Sequence, residues 1–188
     1  MKLPVLVTAF LFVLGTCLTA TADQSATKAS AEVDVFGLGK LMVPAEFKPA
    51  PRKSRIIEHE FAVVQGEGED APKARLTMMR SGGGVTANLD RWKGQFSGTE
   101  KKVGEAKVTE TGELTVHTIK INGSYMETMG GGGPFSGGKK VKRDGYAMLG
   151  AILVEPKGAQ YYVKMIGPAS VIDANEKAFK EMVTSAGK

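Results

Sequence analysis

Apolar and polar side chains alternate with different periods along this 188-residue chain, and each change of period marks a predicted element. The first apolar block stands apart from the rest. Between Val5 and Leu14 only Thr8 is polar, Lys2 precedes the run and Ala20-Thr21-Ala22 follows it. These are the charged, apolar and small-residue parts of an export signal over residues 1–22, with cleavage expected after Ala22. The run is half the ~20 apolar residues that a membrane-spanning helix needs. Residues 23–32 (DQSATKASAE) lack any apolar period and read as a flexible spacer. One globular domain is expected over residues 33–188.

Within that domain two short apolar segments, 33–36 and 40–43, lead into a loop broken by Pro44, Pro49 and Pro51 that ends in Arg52-Lys53-Ser54-Arg55. Strands are predicted over 55–64 and 74–80, joined by an acidic turn at 65–72. Val85, Leu89, Trp92 and Phe96 then recur at helical spacing, which predicts a helix over 86–97, with Thr86 as N-cap, Gly98 as terminator and Trp92 facing inward. Two further strands are expected at 102–110 and 114–127, and then a glycine-dense loop at 130–138. Residues 146–154 are apolar on both alternating sets, with Tyr146, Met148, Ile152 and Val154 on one side and Ala147, Leu149, Ala151 and Leu153 on the other. Both faces of the sheet must be covered there. Residues 161–166 pair back across a Pro156-Lys157-Gly158 turn, and the Ser170-Val171-Ile172-Asp173 capping pattern opens a closing helix. Short connections favour an antiparallel sheet over repeated strand-helix-strand units.

Composition changes this picture in two places. The only cysteine, Cys17, lies inside the signal, so the exported domain has no disulfide, thiolate nucleophile or sulfur ligand. Leu14-Gly15-Thr16-Cys17 resembles a lipobox with Thr16 off the usual pattern, so cleavage before Cys17 would give a lipid-anchored protein; cleavage after Ala22 is the expectation. The net charge of +5 falls to +4 once Lys2 is removed (5 − 1), and the basic residues are scattered with few aromatics. That is no nucleic-acid signature.

Three runs carry a family resemblance. They are Tyr146-Ala-Met-Leu-Gly-Ala-Ile-Leu-Val-Glu-Pro156, Tyr161-Tyr-Val-Lys-Met-Ile-Gly-Pro168 leading into a helix, and Asn88-Leu-Asp-Arg-Trp92. Together they resemble exported bacterial proteins of unassigned function with a PsbP-like domain, a fold also found in a eukaryotic Ran-binding release factor, over roughly residues 55–184. The resemblance implies an α+β fold, a mostly antiparallel sheet sandwiched between helices, and binding or accessory roles over catalysis. It transfers no site residue, because a shared fold hosts unlike functions.

The candidate chemistry is sparse. Gly133 to Lys140 begins like a phosphate-binding P-loop, yet Lys140 stands where Ser or Thr would hold magnesium, and no strand-to-helix context surrounds it. Lys139, Lys140, Lys142 and Arg143 beside these glycines instead suggest a pliable cationic lip for an acidic protein or an anionic envelope component. His59 lies between Glu58 and Glu60, but strand alternation puts it on the opposite face from both, and His117 is in another strand. No metal or cofactor is expected. Lys164, an ammonium on an otherwise apolar strand, either snorkels to solvent or is poised in a pocket. The sequence therefore points to a periplasmic or secreted, non-enzymatic binding or accessory domain, with Lys139, Lys140, Lys142, Arg143 and Lys164 as candidate binding residues. The alternatives are a hydrolase using carboxylates in a cleft and a lipid-anchored accessory subunit of a membrane complex.

Overall fold

A computed structural model describes residues 29–129 and 139–187. The segment read as an export signal, Cys17 and the glycine-rich loop at 130–138 lie outside the described residues. Strands with alternating burial dominate the chain. β1 (Ala29–Val35), which begins within the stretch read as spacer, and β2 (Gly39–Pro44) form an antiparallel hairpin. Its turn places both Phe36 and Gly37 at positive φ, with Leu38 N–H donating to the Val35 carbonyl at 3.0 Å. Contacts of the Phe36 side chain offset this backbone conformation, its ring meeting Tyr161 edge-on at 6.1 Å and lying under the Arg80 guanidinium.

The remaining strands are β3 (Phe47–Pro49), β4 (His59–Val64), β5 (Lys73–Ser81), β6 (Phe96–Val103), β7 (Lys107–Thr111), β8 (Leu114–Met129), β9 (Lys139–Val154) and β10 (Gln160–Pro168). They make one eight-stranded antiparallel sheet in the order β3-β4-β5-β10-β9-β8-β6, with β7 also paired to β8. Helix α1 (Val85–Gly94) links β5 to β6, while α2 (Ala169–Ala174), α3 (Glu176–Thr184) and a 3-10 turn (Ser185–Gly187) close the chain.

The expected α+β sandwich between helices is overturned. Of the described residues 56% are strand and 19% helix, so this is a predominantly antiparallel β fold. The physical reason lies in what covers each face. Ala147, Leu149, Ala151 and Leu153 of β9 do face a core, but Val33, Val35, Leu41 and Val43 of the β1–β2 hairpin fill it together with Ile172, Phe179 and Met182 from α2 and α3. At ~1.5–3 kcal/mol for each fully buried side chain, those four hairpin residues are as much a part of the core as the helices. On the other face Met148 and Ile152 meet Leu89 and Trp92 of the single helix α1.

Two helix boundaries also differ from the periodicity. Phe96 sits at helical spacing from Trp92 but already belongs to β6, paired with Tyr125, so α1 ends at Gly94. The capping pattern at Ser170 does not form: Pro168 precedes α2 without a side-chain cap, and the Asp173 carboxylate pairs with Lys120 of β8 at 2.7 Å. Among the described residues no helix is long and apolar enough to cross a membrane.

Candidate functional site

The cationic lip expected at Lys139 to Arg143 is the outer end of the longest hairpin. β8 and β9 stay paired from Thr115↔Val154 to Met129↔Lys139. Their outer neighbours stop sooner, β6 at Tyr125 and β10 at Tyr146. Beyond those points Met126, Glu127, Thr128 and Met129 pair only with Lys142, Val141, Lys140 and Lys139, as a ribbon of two strands. Met126 and Met129 are 38% and 44% exposed. A hydrogen bond from Met126 N–H to the Gln95 carbonyl at 3.1 Å anchors the base of the ribbon to the end of α1.

The four cations do not act alike. Lys142 pairs with Asp144 at 2.8 Å and Arg143 with Glu127 at 2.9 Å, and these partners raise both pKa values. Lys139 and Lys140 are exposed and have no ion pair among the described residues. The cationic surface therefore contracts to two lysines beside two half-exposed methionines.

Lys164 lies elsewhere, in the middle of β10 between Thr77 of β5 and Gly150 of β9. Its side chain runs beneath α1, where Nζ donates to Gln95 Oε1 at 3.0 Å and sits 5.8 Å from the centre of the Trp92 ring. The ring fits because residue 150 is glycine: a Cβ there would stand 2.5 Å from Trp92 Cζ3. Burial, helped by the nearby Arg91 and Arg75 guanidinium groups, lowers the Lys164 pKa to about 8. The half-buried ammonium ends on an amide at the C-terminal end of the helix.

Of the two guanidinium groups that act on Lys164, Arg75 is itself paired and Arg91 is exposed. Arg75 donates through Nε and a terminal nitrogen to the two oxygens of Glu60, at 2.6 and 3.0 Å, and the Lys53 amide donates to Glu60 at 2.9 Å. Burial alone would raise the Glu60 pKa, but Arg75 and Lys53 outweigh it and hold the carboxyl below its ordinary value. Arg91 donates to the amide oxygen of Asn88. Sequence reasoning missed Glu60, Arg75, Arg91 and Gln95. A signal for part of the set existed: Asn88, Arg91 and Gln95 recur at spacings of three and four, a polar stripe beside the apolar one of Leu89 and Trp92.

A cleft of about 230 Å³ lies between β8 and α3, lined among others by Glu105, Lys107, Lys120, Glu176 and Lys180. It holds two carboxylates, as a hydrolase would require. Lys120 reaches Glu176 at 2.6 Å, and the bonds from Lys120 and Lys180 hold Glu176 below its ordinary pKa, so it is ionised and unsuited to act as a general acid. The histidines stand apart: His59 is on β4 and His117 on β8, four strand spacings away or ~19 Å. Among the described residues no group of three or more His, Cys, Asp or Glu could hold a metal ion.

No family model matches the chain, and no curated protein matches it.

Proposed function

We propose that this chain is an exported, non-enzymatic binding domain that docks through the outer end of its β8–β9 ribbon onto an acidic partner in the cell envelope. The observation that carries this reading is the ribbon itself: four residue pairs without a sheet neighbour, with exposed Lys139 and Lys140 beside half-exposed Met126 and Met129. A ribbon of two strands is marginal in water by itself, and unbranched methionines adapt to many apolar surfaces. Lysines beside them favour acidic partners and speed the encounter. Export rests on the signal at residues 1–22, and cleavage before Cys17 in its place would tether the same domain to a lipid.

The rival hydrolase reading has less support, because Glu176 in the carboxylate-bearing cleft is already neutralised by Lys120 and Lys180. Affinity capture from an envelope fraction tests the binding reading. The double substitution Lys139→Ala, Lys140→Ala should weaken capture about tenfold at low salt and much less at high salt, because charge attraction is screened. Capture that the double variant leaves unchanged would sink the ribbon as the contact.

A further inference from the structure

We infer that the acidic partner is an anionic lipid surface, a step that rests on the ribbon being the contact: methionines from both of its faces enter the interface while Lys139 and Lys140 meet the headgroups. Strand register is what points to lipid. Met126 and Met129 are three residues apart in β8, so they lie on opposite faces of the ribbon. Each stands directly across from a cation of β9, Met126 from Lys142 and Met129 from Lys139. Directly opposed residues share a face, so Lys140, across from Thr128, joins Met126, and Val141, across from Glu127, joins Met129. Both faces therefore carry the same mixture, an exposed methionine beside an exposed lysine.

A folded protein partner covers one face of a strand pair, and the opposite face then has no reason to share its composition. A lipid interface surrounds whatever enters it, so both faces meet the same medium. Methionine suits that medium because it is apolar and unbranched. Lysine suits it because its stem can lie in the apolar layer while the ammonium stays among the headgroups. The ribbon has open edges whose backbone groups need water, which keeps it in the interfacial layer and out of the hydrocarbon core. Its four pairs cover ~10 Å along the strands, comparable to the ~5–10 Å depth of interfacial insertion.

Charge is graded along the ribbon in the same sense. The carboxylates Glu127 and Asp144 are taken up by Arg143 and Lys142 at 2.9 and 2.8 Å, nearer the body of the sheet. The two outermost described pairs, Thr128↔Lys140 and Met129↔Lys139, hold two lysines and no carboxylate, a charge of +2. That charge complements an anionic headgroup layer, where each lysine strengthens binding about fivefold.

Sedimentation of the exported protein with vesicles tests the assignment, using phosphatidylcholine alone and an equal mixture of phosphatidylcholine and phosphatidylglycerol. The protein should sediment with the mixed vesicles and remain in solution with phosphatidylcholine alone. The double substitution Lys139→Ala, Lys140→Ala should weaken binding about tenfold or more at low salt. Met126→Ser, Met129→Ser should remove the binding that remains at high salt, where charge attraction is screened and apolar burial is not. All four side chains are exposed, so both variants should unfold at the wild-type temperature. No binding to the mixed vesicles, equal binding to both kinds, or binding that either variant leaves unchanged overturns the lipid surface. If envelope capture still depends on Lys139 and Lys140 in that event, the ribbon stands with an acidic protein as its partner. If capture is indifferent to them as well, the ribbon falls too.

Discussion

Gly150 and Lys164 sit side by side in adjacent strands, and each sets a constraint that its neighbours enforce. Gly150 is a hydrogen-sized gap in an otherwise apolar strand, and Trp92 occupies that gap. Gly150→Ala should push the indole aside and destabilise the domain by about 1–3 kcal/mol, the usual cost of overpacking a filled core. Trp92 is the only tryptophan in the chain, so its fluorescence should shift with the lost stability; an unchanged spectrum and unfolding midpoint would mean the ring does not rest there. Lys164 makes a prediction in pH. Its pKa falls from the ordinary 10.5 to about 8, so the unfolded chain holds this proton more tightly than the folded one. The lysine therefore destabilises the fold fully below about pH 8, by roughly 3 kcal/mol, and the penalty fades as pH rises toward 10.5. Lys164→Met should be the more stable protein at pH 7, by an amount that shrinks across that window in chemical denaturation. A difference that stays constant with pH would show that the ammonium is not held as described.

Elements show where a local pattern yields to its partner. Phe96 has the spacing of a helical residue, yet it starts β6 because Tyr125 offers a strand pairing and the apolar cluster of Leu89, Trp92 and Ile121 is served from either backbone. Asp173 has the spacing of a capping residue, yet Lys120 takes it, and the same lysine bonds Glu176. One cation on β8 thereby ties both closing helices to the sheet. The hairpin of β1 and β2 is the clearest case. Its residues Val33 and Val35 are 1% and 0% exposed, although the stretch before them has the composition of a linker. Deleting residues 29–38 removes both, a burial of ~3–6 kcal/mol, against a total stability of about 5–15 kcal/mol for a typical domain. The shortened protein should lose most of its cooperative transition in urea; an unaltered midpoint would make the hairpin an appendage.

At the scale of the whole molecule, sequence and tertiary structure answered different questions. Periodicity located the doubly apolar strand at 146–154 and the inward Trp92, because those depend on spacing along one segment, and the short connections pointed to antiparallel pairing of neighbouring strands. It also marked Lys164 as out of place. It could not tell that a hairpin would share one face with the two closing helices, since an amphipathic strand and an amphipathic helix cover a sheet equally well and only their meeting decides. Nor could it set Arg143 apart from the other cations of the ribbon, because Glu127 neutralises it through register across β8 and β9, whereas Asp144 meets Lys142 two residues along the same strand. The pairing of Glu60 with Arg75 was likewise beyond reach: they lie on β4 and β5, and the register of those strands brings them together. Which side chains must be buried was legible in the chain alone, because burial is written in the local hydrophobic period. What buries them and which charges meet came from the folded arrangement, because both depend on contacts between segments distant along the chain.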